Sequence, residues 1–300
     1  MKKLVVGLAA GALLLAGCGS GGGSSAGSAL SSAPVAPAGS SSAPKITATG
    51  KVAVLYAGSL ANLMEQSVGP AFDQTTGGQF QGTGAGSTAL VSDIKGKVKQ
   101  GDVFISASTS ANTPLMGAAN GDWEDWYATF ATAPLVIGYN PNSKFVSDLK
   151  SKPWQQVITE SGFKMGSTDP KLDPKGKLAA SALKQAGIPA GKVQVFPEEQ
   201  LLGRLQAGQL DAGFFYTSEA ADGKLATIPL GADYKLSATY TATVLNNAAN
   251  EQGGVAFLEY LFSPAGTALM KQHGLQLQAI SVTGDKTKVP SDLDTVLGVG

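Results

Sequence analysis

Short apolar runs alternate with amphipathic stretches along most of this 300-residue chain, and this alternation restricts the possible folds most strongly. Runs typical of buried strands occur at 52–56, 102–106, 135–139, 193–196 and 211–216. Helical patterns lie between them, as at 59–72 and 198–207. Strands that alternate with helices predict an α/β fold with a parallel-rich sheet and helices on both faces.

The first 44 residues differ in composition from the rest, and we expect them to lie outside the fold. A basic start and an apolar run over 4–16 lead to Leu-Ala-Gly-Cys at Cys18, which resembles the lipobox of bacterial lipoproteins. The resemblance implies a signal peptide over 1–17 and a lipid on Cys18; the alternative is an uncleaved anchor with an incidental cysteine. Residues 18–44 contain almost only Gly, Ser, Ala and Pro, which predicts a flexible tether. We therefore expect an extracytoplasmic protein, lipid-anchored to the cell membrane.

Charged and metal-binding residue counts exclude several classes of function. The chain has 22 basic and 22 acidic residues, one cysteine and one histidine. We expect no nucleic-acid partner because a basic footprint is absent, and no Cys/His zinc site. A Ser–His hydrolase is disfavoured. We interpret His273, near a predicted helix end, as a solvated residue that interacts with the helix dipole, and 122–126 as a surface turn.

Two predicted strand-to-helix corners present a serine, at Ser59 and Ser87. The first N–H groups of a helix are unpaired and its dipole favours negative charge there. If the two corners face each other at the carboxyl ends of a parallel sheet, they form a site for a small oxyanion. The alternative is that each serine is only a helix cap, which contributes about 1 kcal/mol.

Five stretches in this order resemble the molybdate/tungstate-binding proteins of ABC transporters: AGSL (57–60), GAGSTAL (84–90), DVFISAS (102–108), TDPKLDPKG (168–176) and GQLDAGFFYTSEA (208–220). The resemblance spans about residues 50–275. It implies a two-lobed, type II periplasmic-binding-protein-like fold with two crossover strands as hinge. Lobe I would comprise 45–133 plus 236–300, and lobe II would comprise 134–235.

The same resemblance implies a transport function and no enzymatic activity. The protein would be the monomeric solute-binding component of an ABC importer, closing on molybdate or tungstate and delivering it to the permease. Ser59, Ser87 and the backbone N–H of Ala107 would bind the oxyanion from lobe I. The Tyr216 hydroxyl would bind it from lobe II, although the sequence by itself is equally consistent with Tyr216 as a core residue.

Two acidic residues also match the family's ligand set. Asp173 and Glu198 correspond to carboxylates that, in one branch of the family, bond the molybdenum or tungsten centre itself; Glu199 is the alternative to Glu198. The chain departs from that branch at Lys175, where the family has a small residue or cysteine. Without the resemblance, Asp173 is a turn residue before proline and Glu198 a first-turn helix carboxylate.

Several alternatives for the ligand and function stay open, and no resident cofactor is expected. A buried carboxylate beside a dianion is repulsive unless it bonds a metal centre or accepts a proton from the ligand. Hydrogen phosphate, or another small oxyanion, is therefore the alternative ligand, whereas unprotonated sulfate fits neither role. An extracellular enzyme with Asp173 and Glu198 as its acid/base pair, and an adhesion or signalling module with a filled cleft, are the alternatives from other classes.

Overall fold

The computed structural model describes residues 45–299. The predicted signal peptide, the lipidation site Cys18 and the tether up to residue 44 lie outside the described residues. No helix within 45–299 is both long and apolar enough to span a membrane.

Ten strands and twelve α-helices make up the described part of the chain. The strands are β1 Lys51–Ala57, β2 Gln79–Ala85, β3 Val103–Ser106, β4 Trp126–Tyr139, β5 Met165–Thr168, β6 Val193–Phe196, β7 Ala212–Tyr216, β8 Ala226–Pro229, β9 Ser237–Val244 and β10 Gln276–Gly284. The helices are α1 Ala61–Leu63, α2 Gly69–Thr76, α3 Ser87–Lys95, α4 Thr109–Asn112, α5 Val146–Ser151, α6 Trp154–Val157, α7 Pro174–Gln185, α8 Glu198–Gln206, α9 Thr217–Asp222, α10 Glu251–Phe262, α11 Pro264–Gln272 and α12 Asp294–Leu297.

The strands form two mixed groups that share β4. We call the first group sheet I. In it, β1 lies between β2 and β3 and is parallel to both. β9 lies between β3 and the first part of β4 and is antiparallel to both, and β10 is also antiparallel to the first part of β4. In the second group, sheet II, β5 lies between β6 and β7 in parallel, and β7 and β8 pair with the last residues of β4. One 14-residue strand therefore belongs to both sheets.

The chain leaves β1 directly into a helical segment. A 3-10 turn over Gly58–Leu60 passes into α1, then through a π-helical turn over Met64–Val68, and then into α2. Leu60, Leu63 and Met64 are almost fully buried against sheet I. The apolar spacing that predicts this helix therefore sets its inner face, and its start fixes the corner that holds Ser59.

Three local predictions are wrong. The stretch 122–126 is not a surface turn: Glu124 is fully buried, with its carboxylate accepting a hydrogen bond from the Asn112 amide at 3.2 Å, and Trp126 begins β4. The spacing of Leu90, Ile94 and Val98 predicts one face of a helix, but Val98 is 73% exposed because α3 ends at Lys95.

The third correction concerns His273. Its side chain is only 16% exposed rather than solvated. The Nε2 atom lies 2.8 Å from the Ser67 hydroxyl, and the Nδ1 atom lies 2.6 Å from an Asp222 carboxylate oxygen. The histidine at the end of α11 therefore joins the π-helical turn to the end of α9.

Candidate functional site

The two serine corners lie at the carboxyl ends of β1 and β2, which are parallel neighbours in sheet I. Ser59 is the second residue of the 3-10 turn after β1, and Ser87 is the first residue of α3 after β2. Both side chains are buried. The Ser87 hydroxyl accepts a hydrogen bond from the Ala107 N–H at 3.1 Å, and the Ser59 hydroxyl lies 3.2 Å from the Tyr240 hydroxyl. The structure therefore brings the three predicted lobe I residues to one edge of sheet I.

The two predicted carboxylates lie at the starts of two helices that follow sheet II strands. Asp173 caps α7 by accepting the Lys175 N–H at 3.0 Å on Oδ1. Its Oδ2 receives no hydrogen bond from residues 45–299. Glu198 is the first residue of α8, and neither of its carboxylate oxygens has a hydrogen-bond partner within that same range. Glu199, the alternative in the sequence, is exposed.

Each carboxylate packs against one of the serine corners. A Cβ atom at Gly58 would lie 2.7 Å from the Glu198 Oε2, and one at Gly86 would lie 2.5 Å from the Leu172 carbonyl oxygen and 3.0 Å from the Asp173 Cβ. Glycine is required at Gly86, because a larger residue would clash with the backbone, whereas a larger residue at Gly58 would displace the Glu198 carboxylate. The Ala89 N–H also donates to the Leu172 carbonyl at 3.0 Å.

Tyr216 completes this arrangement from the end of β7. Its ring is fully buried and lies 6.3 Å, centroid to centroid, from that of Tyr240, at 74°. Its hydroxyl finds no hydrogen-bond partner in the described part of the chain. We call the assembled set the interlobe cluster; its members are Ser59, Ser87, Ala107, Asp173, Glu198 and Tyr216. Beside it, Gly86, Asp173 and Glu198 help to line a cavity of about 390 Å³.

Two charged residues that the sequence analysis did not assign to the site lie within it. The Lys175 ammonium is fully buried, 2.6 Å from the Glu219 Oε1 and 3.5 Å from the Glu198 Oε1. The other Glu219 oxygen accepts the Tyr216 N–H at 2.8 Å, as the helix-capping residue of α9. The position of Glu219, three residues after the end of β7, is a capping signal that could have identified it.

Burial dominates the electrostatics of the cluster. It raises the pKa of Asp173, against the lowering effect of the Lys175 charge, and it raises the pKa of Glu198 well above its usual range, with the Asp173 charge adding to the rise. Burial alone would lower the pKa of Lys175, but the charges of Glu219, Glu198 and Asp173 raise it above its ordinary value. The pKa of Tyr216 also rises with burial, so its hydroxyl stays a neutral donor.

Buried polar atoms without partners are costly, at about 1–3 kcal/mol each, and are uncommon in native proteins. Several of those found in residues 45–299 lie in or beside the interlobe cluster: Asp173 Oδ2, Glu198 Oε1 and Oε2, the Tyr216 hydroxyl, and the Thr168 and Ser218 hydroxyls. Hydroxyl groups can donate to oxyanion oxygens, and carboxylate oxygens can bond a hard metal centre or accept a proton. The chemistry of this set fits a small oxyanion.

Several known proteins are similar to this chain in sequence. Residues 52–276 match the sequence profile of a family described as bacterial extracellular solute-binding protein. A solute-binding protein of Halobacterium salinarum is 31% identical over 253 residues, covering 71% of this chain and 81% of that protein. The molybdate/tungstate-binding protein of Pyrococcus abyssi is 24% identical over 291 residues, covering 75% and 84%.

Among solved structures, the periplasmic molybdate-binding protein of Azotobacter vinelandii superimposes with a TM-score of 0.64 at 18% identity. The match covers 76% of this chain and 99% of that one. It confirms the predicted type II periplasmic-binding-protein-like α/β fold.

Proposed function

The chain belongs to the bacterial extracellular solute-binding proteins, a family of transport proteins rather than enzymes, and we propose that its solute is molybdate or tungstate. The oxyanion would bind between two lobes and be delivered to the permease of an ABC importer. Lobe I would comprise 45–133 plus 236–300, and lobe II 134–235. The name of the Pyrococcus abyssi relative and the fold shared with a molybdate-binding protein support this choice of solute.

One observation carries the proposal. Two buried carboxylates approach two serine corners across the two sheets, and the described residues leave three of the four carboxylate oxygens without hydrogen bonds. A protein that needed this arrangement only for folding would gain from satisfying those oxygens or from replacing them with apolar groups. A ligand whose centre accepts carboxylate oxygen offsets the cost, and molybdenum and tungsten in their oxyanions are hard, high-valent centres of this kind.

The binding steps follow from the positions of the donors. Ser59, Ser87 and the Ala107 N–H would hold the oxyanion oxygens at the edge of sheet I, where helix N-termini also favour negative charge. Closure of lobe II would then bring Asp173, Glu198 and Tyr216 onto the anion. β4, which belongs to both sheets, and the segment that joins β8 to β9 would act as the hinge.

Selectivity would depend on which part of the ligand the Asp173 and Glu198 carboxylates contact. Sulfate offers neither an expandable metal centre nor a proton at neutral pH, so Asp173 and Glu198 would repel it.

We propose further that a lipid on Cys18 anchors the protein outside the cytoplasm, close to its permease, and that it acts as a monomer.

Thermal unfolding of the full chain tests the function. Molybdate, tungstate, sulfate and phosphate are added separately at equal concentration. A ligand at about a thousand times its Kd stabilises the protein by roughly 4 kcal/mol, which corresponds to a Tm rise on the order of 10 °C for a domain of this size. We expect this rise with molybdate and tungstate only. A rise in Tm with phosphate alone would mean that the ligand is phosphate and not molybdate or tungstate. No rise with any oxyanion would overturn the proposed function.

The variant Tyr216→Phe tests whether the cluster is the binding site. It removes one hydroxyl that the described residues leave unpaired and keeps the ring packing. We expect Tm without ligand to stay within about 2 °C of wild type and the ligand-induced rise to shrink by at least half, since one donor is lost. Tyr234→Phe is the matched control, because the Tyr234 hydroxyl accepts a hydrogen bond from the Gln155 amide instead. Equal rises in both variants would exclude Tyr216 from the site.

A further inference from the structure

Lys175 is the single lysine or arginine that is buried among residues 45–299. Three buried carboxylates surround its ammonium, those of Asp173, Glu198 and Glu219. A doubly charged oxyanion bound to the interlobe cluster would add two more negative charges at close range. Uncompensated charges of this kind are strongly unfavourable in a buried site. The Lys175 ammonium therefore has to compensate more negative charge than that of a single ion-pair partner.

The Lys175 ammonium has one short carboxylate contact and retains donor capacity. Glu219 binds it at 2.6 Å, and Glu219 is itself fixed by the Tyr216 N–H. The aromatic rings of Phe215 and Tyr216 lie 5.6 and 5.7 Å from the Nζ atom, which is a cation–π distance. Glu198 is the looser partner, at 3.5 Å. An ammonium has three N–H donors, so the short contact with Glu219 leaves two of them for other groups.

We propose that Lys175 is a ligand-binding residue, whose ammonium supplies the positive charge that lets a dianionic oxyanion bind beside Asp173 and Glu198. Glu219 is the positioning residue that fixes this charge beneath Tyr216. The inference rests on the proposed function and deepens it: the solute is held by a charged donor as well as by neutral hydroxyl and amide groups. A charge-assisted hydrogen bond of this kind is about twice as strong as a neutral one.

A purely structural role for Lys175 makes a different prediction. In that case the lysine only neutralises Glu219, and removing both charges together would leave binding intact. Replacing a buried ion pair by neutral groups is often well tolerated, whereas removing one partner alone is destabilising. The double variant Lys175→Met/Glu219→Gln therefore separates the two roles even if Lys175→Met alone fails to fold.

The experiment is titration calorimetry of the full chain with molybdate and with tungstate. The variants are Lys175→Met, Glu219→Gln and the double variant. Lys184→Met is the matched control, because Lys184 is an exposed lysine of the same helix, α7. We expect both variants without Lys175 to bind at least 100-fold more weakly than wild type, and Lys184→Met to bind within threefold of it.

The outcomes separate the inference from the function on which it rests. Wild-type affinity in the double variant would overturn the role of Lys175 and leave the transport function standing. Absence of binding by the wild-type chain to either oxyanion would overturn both. A loss of at least 100-fold in the folded double variant, as judged by its circular dichroism spectrum, would support the inference.

Discussion

Asp102 and Glu198 are both buried acidic residues, but their carboxylates meet opposite surroundings. One Asp102 oxygen accepts the Ala53 N–H at 2.8 Å and the other accepts the Asn250 N–H at 2.7 Å, which ties β1 to the start of α10. For Glu198, the residues between 45 and 299 supply no hydrogen bond to either oxygen, and its charged neighbour, the Lys175 ammonium, lies 3.5 Å from Oε1. A buried carboxylate that is fully used by backbone donors maintains the fold, whereas one left unused is available to a ligand.

Glu124 is not a member of the interlobe cluster, yet one of its oxygens also lacks a hydrogen-bond partner in the described part of the chain. It therefore offers the largest expected effect by which this comparison could fail. Burial raises the pKa of Glu124 to about 8, so the folded protein retains this proton at neutral pH. Between the unfolded pKa of 4.5 and the folded pKa of about 8, the carboxyl group is ionised in the unfolded chain and protonated in the folded protein. The free energy of unfolding therefore falls progressively as the pH rises through this range.

The variant Glu124→Gln tests this explanation by chemical denaturation at pH 5 and pH 8.5. We expect the wild type to lose several kcal/mol, on the order of 4, more than the variant between these pH values. Oxyanion binding should not change. Parallel pH profiles of the two proteins would mean that Glu124 is ionised when folded, and the comparison would then fail.

Asp102→Ala should give the next largest effect. The substitution leaves the Ala53 and Asn250 N–H groups buried without an acceptor, and we expect a loss of about 2–4 kcal/mol in the free energy of unfolding. The ligand-induced rise in Tm should persist. The exposed Asp233→Ala is the control and should stay within about 0.5 kcal/mol of wild type. A selective loss of oxyanion binding in Asp102→Ala would contradict its purely structural role.

Glu198→Gln should act in the opposite direction on stability. The neutral amide removes the desolvation cost of the buried carboxylate, and Lys175 keeps its shorter contact with Glu219 at 2.6 Å. The ligand-free protein should therefore gain about 1–2 kcal/mol while its affinity for molybdate falls. Denaturation and calorimetry on the same samples measure both quantities. The neighbouring Glu199→Gln, on an exposed side chain, should alter neither. A less stable Glu198→Gln would place Glu198 with Asp102 among the structural carboxylates.

Asp222→Asn should give the smallest effect. Asp222 is half-buried and contacts His273, and burial raises the pKa of its carboxyl despite the opposing histidine. We expect a loss of about 0.5–1 kcal/mol, because the asparagine amide oxygen can still accept a hydrogen bond from the His273 ring. His273→Gln in the same background should add almost nothing more if the two residues act as a pair. Additive losses in the double variant would show that they act separately.

The sequence predicts those parts of this molecule whose signals are local. The serine corners could be placed because an apolar run followed by a small polar residue and a helical pattern marks a strand-to-helix junction. The first part of β4 and all of β10 were missed, since their Ala, Thr and Ser content gives weak alternation and their pairing joins distant residues. Likewise, the burial of Lys175 depends on Glu198 and Glu219, which come from other elements, so the lysine could be noticed as unusual but not assigned a role.

The sharing of β4 by the two sheets has a consequence for biosensor construction. Residues Ala128–Pro134 pair with β9, and Leu135–Tyr139 continue without interruption into the pairing with β7. Side chains alternate between the two faces of a sheet along a strand. Inserting one residue between these segments would therefore move the core-facing side chains in the rest of β4 to the opposite face of the sheet. A fluorescent reporter domain therefore belongs in an exposed connection, such as the one around the 3-10 turn at 190–192, where chain length can change without altering strand register.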